Sequence, residues 1–268
     1  MIRTALDQIA LQIVDLHKYF EDSHVLRGVS FTANRGEVVA LLGDNGAGKS
    51  TLVNCLAGKL LPTRGEILIN GTKQVINSPI KAQNLGISVV YQDLALIKEM
   101  SVVENLFLNR EIMHRNTLLN RLGWLDKKAM EMRANKLLRR LGGEGIELEL
   151  PISLLSGGQQ QIVALIRAVN AGANIIVMDE PTAALGSEQR NHVIRLIRLL
   201  SSQGATIVLI SHNLGQVAKL CDRAVVLYQG QTVADIAVKE VTQLELLALM
   251  SGKQYDGVSA NQFREYKS

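Results

Sequence analysis

The segment Gly43-Asp44-Asn45-Gly46-Ala47-Gly48-Lys49-Ser50 follows directly on the apolar run Glu37-Val38-Val39-Ala40-Leu41-Leu42. This order predicts a buried strand, a glycine-rich turn and a helix that opens near Lys49, the arrangement of a nucleotide phosphate loop. Glycines let successive backbone N–H groups wrap a polyphosphate, and the helix adds its positive end. Lys49 reaches the outer phosphates, and the Ser50 hydroxyl can ligate Mg²⁺.

The rest of the chain has the composition of a globular protein. Its 268 residues allow one large domain or two small ones, enough to bury about 70–75% of the unfolded surface. An apolar content of 47% against 20% charged residues excludes a disordered chain. No apolar run approaches the roughly 18–20 residues that span a bilayer. Asp7 and Gln8 break the N-terminal stretch before a signal-like core develops, so a cytosolic location is expected. Cys55 and Cys221 lie in apolar settings without a CxxC pair, and are expected to be buried and reduced. The net charge of +4 is scattered along predicted helices, Lys127 to Arg140 and Asn191 to Leu200 among them, which describes solvated faces rather than a nucleic-acid surface.

Strand-like runs come first: Ala10 to Leu16, Val25 to Thr32, Glu37 to Leu42, Glu66 to Ile69 and Ile87 to Tyr91. The helix after Lys49 is predicted to stop at Gly58. From Asp93 to about Leu155 the pattern is read as helical, with a Ser101/Glu104 capping box and Asp126 capping a run from Lys127 to Leu141. Strands at Ile175 to Met178 and Thr206 to Ile210 then alternate with helices, and Thr242 with Glu245 caps a last helix through Met250. The alternation predicts an α/β fold with a mostly parallel sheet, interrupted by a helical insertion.

Two further motifs carry chemistry. Asp179-Glu180 ends an apolar strand, placing two carboxylates at the sheet edge where ligands sit in open α/β folds. Asp179 is placed to hold Mg²⁺ and Glu180 to polarise a water against a γ-phosphate. Leu155-Ser156-Gly157-Gly158-Gln159 opens another helix and forms a second phosphate-seeking N-terminus.

With these motifs in the order phosphate loop, Leu-Ser-Gly-Gly-Gln, Asp-Glu, the sequence resembles the ATP-binding cassette (ABC) ATPases from about Leu11 to Met250. The resemblance implies a P-loop (RecA-like) core with an antiparallel β subdomain. It implies one cassette over residues 8–252, with core segments 8–92 and 157–252 and a helical subdomain of about 93–156, before a loose polar tail from 253. It assigns to ATP the residues Gly43, Asp44, Asn45, Gly46, Ala47, Gly48, Lys49, Ser50 and Thr51 of the loop, together with Asp179. It adds Ser156, Gly157, Gly158 and Gln159, which in the family contact the γ-phosphate held on a second subunit. Gln92 matches a glutamine that touches Mg²⁺, so the metal set becomes Ser50, Gln92 and Asp179. His212 matches a γ-phosphate switch histidine, joining Glu180 and Lys49 as catalytic residues. Phe20 falls where the family stacks an aromatic on adenine, with Tyr19 beside it as the alternative.

Within the family, Gly86 to Arg110 and Ala183-Ala184-Leu185-Gly186 look most like ATPases of ribose- and fructose-type sugar importers. That likeness implies a second cassette, identical or paralogous, a separate membrane permease docking on the helical insertion, and a periplasmic sugar-binding protein acting through it. The subunit would sit on the inner face of the membrane. The same residues also suit an exporter, an amino-acid importer or a soluble cassette ATPase acting on DNA or ribosomes, although the long coiled coils and zinc cysteines of the last group are absent. Gly186 stands where the wider family usually has Asp in a loop crossing the dimer interface.

Overall fold

The computed structural model describes residues 8–114, 121, 123–183 and 185–253. Ala184 and the tail from 254 lie outside the described residues. The chain opens with β1 (Ile9–Phe20), β2 (Ser23–Asn34), β3 (Val38–Gly43), α1 (Lys49–Leu56), β4 (Arg64–Ile69), β5 (Thr72–Gln74), α2 (Pro79–Asn84) and β6 (Ile87–Val90). Next come α3 (Val102–Phe107), α4 (Lys127–Arg140) and α5 (Gly157–Asn170). Then follow β7 (Ile175–Asp179), α6 (Ser187–Ser202), β8 (Thr206–Ile210), α7 (Leu214–Leu220), β9 (Arg223–Tyr228), β10 (Gln231–Ala237) and α8 (Gln243–Met250).

Two compact units result. Among the described residues, one comprises 8–89, Asn174–Glu180 and 200–253; the other comprises Val90–Ala173 and Pro181–Leu199. The first unit holds both sheets. An antiparallel sheet runs β2-β1-β4-β5, and the larger sheet runs β10-β9-β3-β8-β7-β6. In the larger sheet β3 pairs in parallel with β8 and β9, β7 pairs in parallel with β8, and β10 closes one edge antiparallel to β9. Every residue of β3 and of β8 is buried, as expected of strands covered on both faces. Ser30 on β2 and Thr232 on β10 stitch the two sheets together, the Ser30 N–H donating to the Thr232 hydroxyl at 3.2 Å and that hydroxyl to the Ser30 carbonyl at 3.1 Å.

Several sequence readings shift. The first hairpin is longer than its apolar core, because β1 runs to Phe20 and β2 from Ser23. The strand read as Ile87 to Tyr91 ends at Val90, and the run Ile175 to Met178 takes in Asp179. β5, α2, α7, β9 and β10 were not anticipated. Cys55 and Cys221 are buried and outside any disulfide, and burial pushes the Cys55 thiol up to about 11.

The largest correction concerns 93–155, where much of the chain is not helical. Side chains hold it instead of an apolar repeat. Asn105 on α3, with no exposed surface, accepts from the Ile97 N–H at 2.8 Å. Its amide donates to the carbonyls of Ile97, Met100 and Ser101 at 3.0, 3.3 and 3.0 Å. Arg167 on α5 donates to the carbonyls of Leu94 and Ala95 at 2.8 and 2.7 Å.

Replacing Asn105 by Leu keeps similar bulk but leaves the part-buried Ile97 N–H without its acceptor and takes from the Ile97, Met100 and Ser101 carbonyls one of two donors, the other being a backbone N–H in each case. We expect Asn105→Leu to destabilise this unit by about 2–4 kcal/mol. Chemical denaturation would show it as a lowered midpoint, together with faster amide exchange at Ile97; an unchanged midpoint would refute the role.

Candidate nucleotide site

The centre of the site is the turn from β3 into α1. Gly43, with φ 150°, leaves β3 so close to β9 that a Cβ there would lie 2.4 Å from the Leu227 carbonyl oxygen. Gly48, at φ 99°, is the N-cap of α1 and supplies no side-chain cap, so the first-turn N–H groups of the helix stay free of one. The loop between is braced internally, Asp44 accepting from Asn45 N–H at 2.9 Å and Ala47 N–H donating to the Asp44 carbonyl at 3.1 Å. Asn45, Gly46 and Ser50 are exposed, Ala47 and Gly48 are buried, and Thr51 is half-buried. Lys49 is buried, and its ammonium donates to the carbonyls of Gly43 and Asp44 at 2.7 and 3.0 Å. Burial lowers its pKa, while the charges of Asp44, Asp179 and Glu180 oppose that shift. Such a loop suits a polyphosphate: a helix end without a cap, and a cation curled among main-chain oxygens.

The carboxylates arrive from neighbouring strands. Asp179 is the last residue of β7, and burial raises its pKa against the charges of Lys49 and His212. Glu180 takes a left-handed backbone at φ 50°, a conformation costing a non-glycine residue roughly 1–2 kcal/mol. Tertiary pairing imposes it, since the Glu180 N–H donates to the Ile210 carbonyl of β8 at 3.0 Å. The Glu180 side chain then accepts from the His212 backbone N–H at 2.8 Å. The same oxygen lies 3.7 Å from the His212 imidazole Nε2. Lys49, Asp179, Glu180 and His212 thus gather at the carboxyl ends of β3, β7 and β8.

The remaining predicted residues stand in other places. Phe20 ends β1, 41% exposed, with the Lys18 ammonium 5.1 Å from its ring centroid. Tyr19 stacks instead on His24, centroids 3.9 Å apart. In the second unit, Gln92 is exposed and lies two residues beyond β6 rather than closing it. Ser156 caps α5, which starts at Gly157 rather than at Gln159. A full capping box forms there, with the Ser156 hydroxyl accepting from Gln159 N–H and the Gln159 side chain accepting from Ser156 N–H at 2.9 Å. Gly158 is packed so tightly that a Cβ would fall 2.9 Å from the Gln189 side chain of α6. A cleft of about 160 Å³ borders this helix start, lined by Gly142, Gly143, Ser156, Gln159, Gln189 and His192 among others. Gln189 and His192 were not anticipated, because α6 reaches the cleft only through tertiary packing. A Cβ at Gly186 would meet nothing within 4 Å.

Comparison with known proteins gives a consistent picture. The family model described as ABC transporter matches residues 26–183. The chain is 41% identical over 241 residues to the xylose/arabinose import ATP-binding protein XylG of Sulfolobus acidocaldarius, covering 90% of this chain and 93% of that one. It is 38% identical over 246 residues to the ribose import ATP-binding protein RbsA of Lacticaseibacillus paracasei, covering 92% of this chain but 48% of the relative, about half its length. Among solved structures, a nucleotide-free ATP-binding cassette of an ABC transporter superposes with a TM-score of 0.77 at 28% identity, over 90% of this chain and 95% of that one. A dimeric cassette in a post-hydrolysis state bound to ADP and Pi gives 0.69 at 25% identity, over 85% and 98%. With its strand-loop-helix turn, its carboxylate edge and a family match across more than half its length, this chain belongs to the ABC transporter family of ATPase cassettes.

Proposed function

We propose that this chain binds MgATP, hydrolyses it with a second cassette, and supplies the energy for sugar uptake through a separate membrane permease. The observation that carries the reading is the meeting of Lys49, Asp179 and the Glu180–His212 pair beside the uncapped start of α1. Gly43 to Thr51 cradle the phosphates in this reading, and Lys49 pairs with the outer ones. Ser50 and Asp179 would hold Mg²⁺, which when bound offsets phosphate charge; Gln92, which the resemblance also assigns to the metal, belongs to the other unit. Magnesium typically takes one or two carboxylates plus phosphate and water oxygens. A small donor set therefore fits, although among the described residues no cluster of three His, Cys, Asp or Glu is built to hold a metal.

Glu180 is the base. One of its carboxylate oxygens is fixed by the His212 N–H, which orients the group while leaving further lone pairs for a water proton. His212, with its side chain half exposed, then meets the γ-phosphate. Phe20 stacks on adenine. Ser156, Gly157, Gly158 and Gln159 complete the site of the opposite cassette, so residues 8–252 act as one cassette of a pair.

The sugar assignment rests on likeness to the xylose/arabinose and ribose import proteins. Among the described residues no helix is long and apolar enough to cross a membrane. By likeness to those import proteins we place the permease on a separate polypeptide, this subunit on the cytoplasmic side, and a periplasmic sugar-binding protein as an indirect partner; nucleic acid is not one.

Glu180→Gln should retain ATP binding and lose turnover by about a hundredfold or more. Lys49→Ala should instead weaken binding about tenfold or more, through loss of a charged hydrogen-bond donor. Nucleotide affinity and steady-state phosphate release separate the two; near-normal hydrolysis by Glu180→Gln would sink the base assignment.

Pairing has its own test. Glu180→Gln protein with MgATP should sediment as a dimer, and adding Ser156→Arg should return it to a monomer. Full activity in a demonstrably monomeric preparation would overturn the paired arrangement.

Deleting this subunit should abolish ATP-dependent accumulation of a pentose or fructose, and cysteines placed at Leu94 or Met100 should crosslink to the permease. Intact uptake of every sugar, with loss of efflux or amino-acid import, would refute the cargo while sparing the ATPase.

A further inference from the structure

The phosphate loop grows out of the larger sheet and Phe20 out of the antiparallel one, and a single backbone turn touches both. That turn is Gln229–Gly230, which joins β9 to β10 inside the closing pair Tyr228–Gln231. Both residues have positive φ, 47° and 81°, the mirror-image turn that matches the twist of a tight hairpin. Such a turn leaves the N–H and C=O of its second residue outside the strand ladder, and they ordinarily meet water. Here Gln229 is exposed but Gly230 is buried, and the chain itself takes both groups. The Gly230 N–H donates to the Ala47 carbonyl of the phosphate loop at 3.2 Å, and the Gly230 carbonyl accepts from the Arg27 N–H of β2 at 2.7 Å.

The three segments meet main chain to main chain. A Cβ at Gly230 would lie 2.2 Å from the Val25 carbonyl oxygen of β2. One at Gly48 would lie 3.3 Å from that same oxygen, 2.8 Å from a Leu26 methyl and 3.7 Å from the Gly230 Cα. No side-chain rotation can relax contacts of this kind. From β2 the path to Phe20 is short. Leu26, fully buried, pairs with Lys18 across the hairpin, and the Lys18 ammonium lies 5.1 Å from the Phe20 ring centroid. Ser23, two residues before Val25, is the strand partner of Phe20 itself. Further along, the Thr232–Ser30 pair keeps β10 on β2.

Resting on the proposal that Phe20 receives adenine, we propose that Gly230 is a positioning residue for the nucleotide: wedged between the phosphate loop and β2, it sets the distance from the loop to Phe20. Base and triphosphate belong to one ligand. Once the phosphates are held, stacking of the base is an intramolecular event, and its gain depends on how well the spacing of the two half-sites matches the ligand. A methyl group added at Gly230 must move the turn or β2 by roughly 1 Å to restore ordinary contact. Displacements of about that size are enough to spoil a bound geometry. Gly230→Ala therefore separates the half-sites while removing no group that meets the nucleotide.

The test compares ATP with inorganic tripolyphosphate, both with Mg²⁺, since tripolyphosphate meets the loop without a base. In Gly230→Ala the affinity ratio of ATP over tripolyphosphate should fall about fivefold or more, the low end of what a base stacked on an aromatic ring contributes. Tripolyphosphate affinity should stay close to the wild-type value. Damage to the loop alone would lower both affinities together, and an unchanged ratio overturns the proposal. Gln229→Gly removes an exposed side chain and keeps the backbone contacts of the turn, so it should leave the ratio as it is; an equal fall there also overturns the proposal. Amide exchange in the wild-type chain is independent of any variant's folding. Tripolyphosphate should slow exchange at the Gly230 and Arg27 N–H groups, and protection confined to the loop overturns the coupling. Phe20→Ala separates the two readings: an unchanged ratio there overturns the adenine assignment, whereas a ratio that depends on Phe20 and not on Gly230 overturns the positioning role alone.

Discussion

Lys49, Asp179, Glu180 and His212 reach one edge because β3 is seated in parallel between β8 and β9, with β7 beside β8. The seat is locked at its far end, where Asp222 accepts from Val38 N–H through its side chain at 2.9 Å and donates its own N–H to the Val38 carbonyl at 2.8 Å. Register there fixes register at the other end, since a slip by one residue would send every side chain of β3 to the wrong face. The carboxyl ends of β3, β7 and β8 then lie side by side, and whatever follows each strand is delivered to one edge. Gly43 is the cost of that closeness, because β9 brings the Leu227 carbonyl where any Cβ would stand.

That edge is electrostatically uneasy. Burial lowers the pKa of Lys49 and raises that of Asp179, so each charged form is disfavoured and each is opposed by the other's field. Lys49 answers with main-chain carbonyls and not with a carboxylate hydrogen bond. A polyanion with its cation suits such an edge, since it would meet the ammonium directly and spread charge over the loop N–H groups. Glu180 adds backbone strain of its own, sustained because the same strand pairing that bends it also gives its N–H the Ile210 carbonyl.

Features set by neighbours in sequence were legible; features set by neighbours in space were not. The capping boxes at Ser101/Glu104 and Thr242/Glu245 each join residues three apart and form as read, while at Ser156 the structure adds a box with Gln159 to the serine cap. The phosphate loop likewise carries its whole signal within eight residues. By contrast, the left-handed backbones at Asp15 and Glu180 have no sequence mark, because each is imposed by contacts from other strands. β9 offered an apolar run, Ala-Val-Val-Leu-Tyr, and could have been found; β10 alternates weakly as an edge strand and offered less. The segment 93–155 misled because two true helix caps lie within it. The stretch ahead of the first, Leu94 to Ser101, is tied by Asn105 and Arg167, single polar residues that leave no periodic trace.

The two phosphate-seeking helix ends are not equivalent, and capping explains how. Side chains cap α2, α4 and α7, and full boxes cap α3, α5 and α8, whereas α1 has no side-chain cap. Its N–H groups remain for a ligand, aimed by a left-handed glycine that no other residue would comfortably replace. At α5 the Ser156 hydroxyl already engages the Gln159 N–H, and the Gln159 side chain engages the Ser156 N–H. What α5 can offer an anion is therefore narrower: the Gly157 and Gly158 N–H groups, the outward side of the Ser156 hydroxyl, and the helix dipole. A loop that wraps several phosphate oxygens suits the first end. In the proposed pairing of cassettes, the second would meet only one terminal phosphate, presented from the partner.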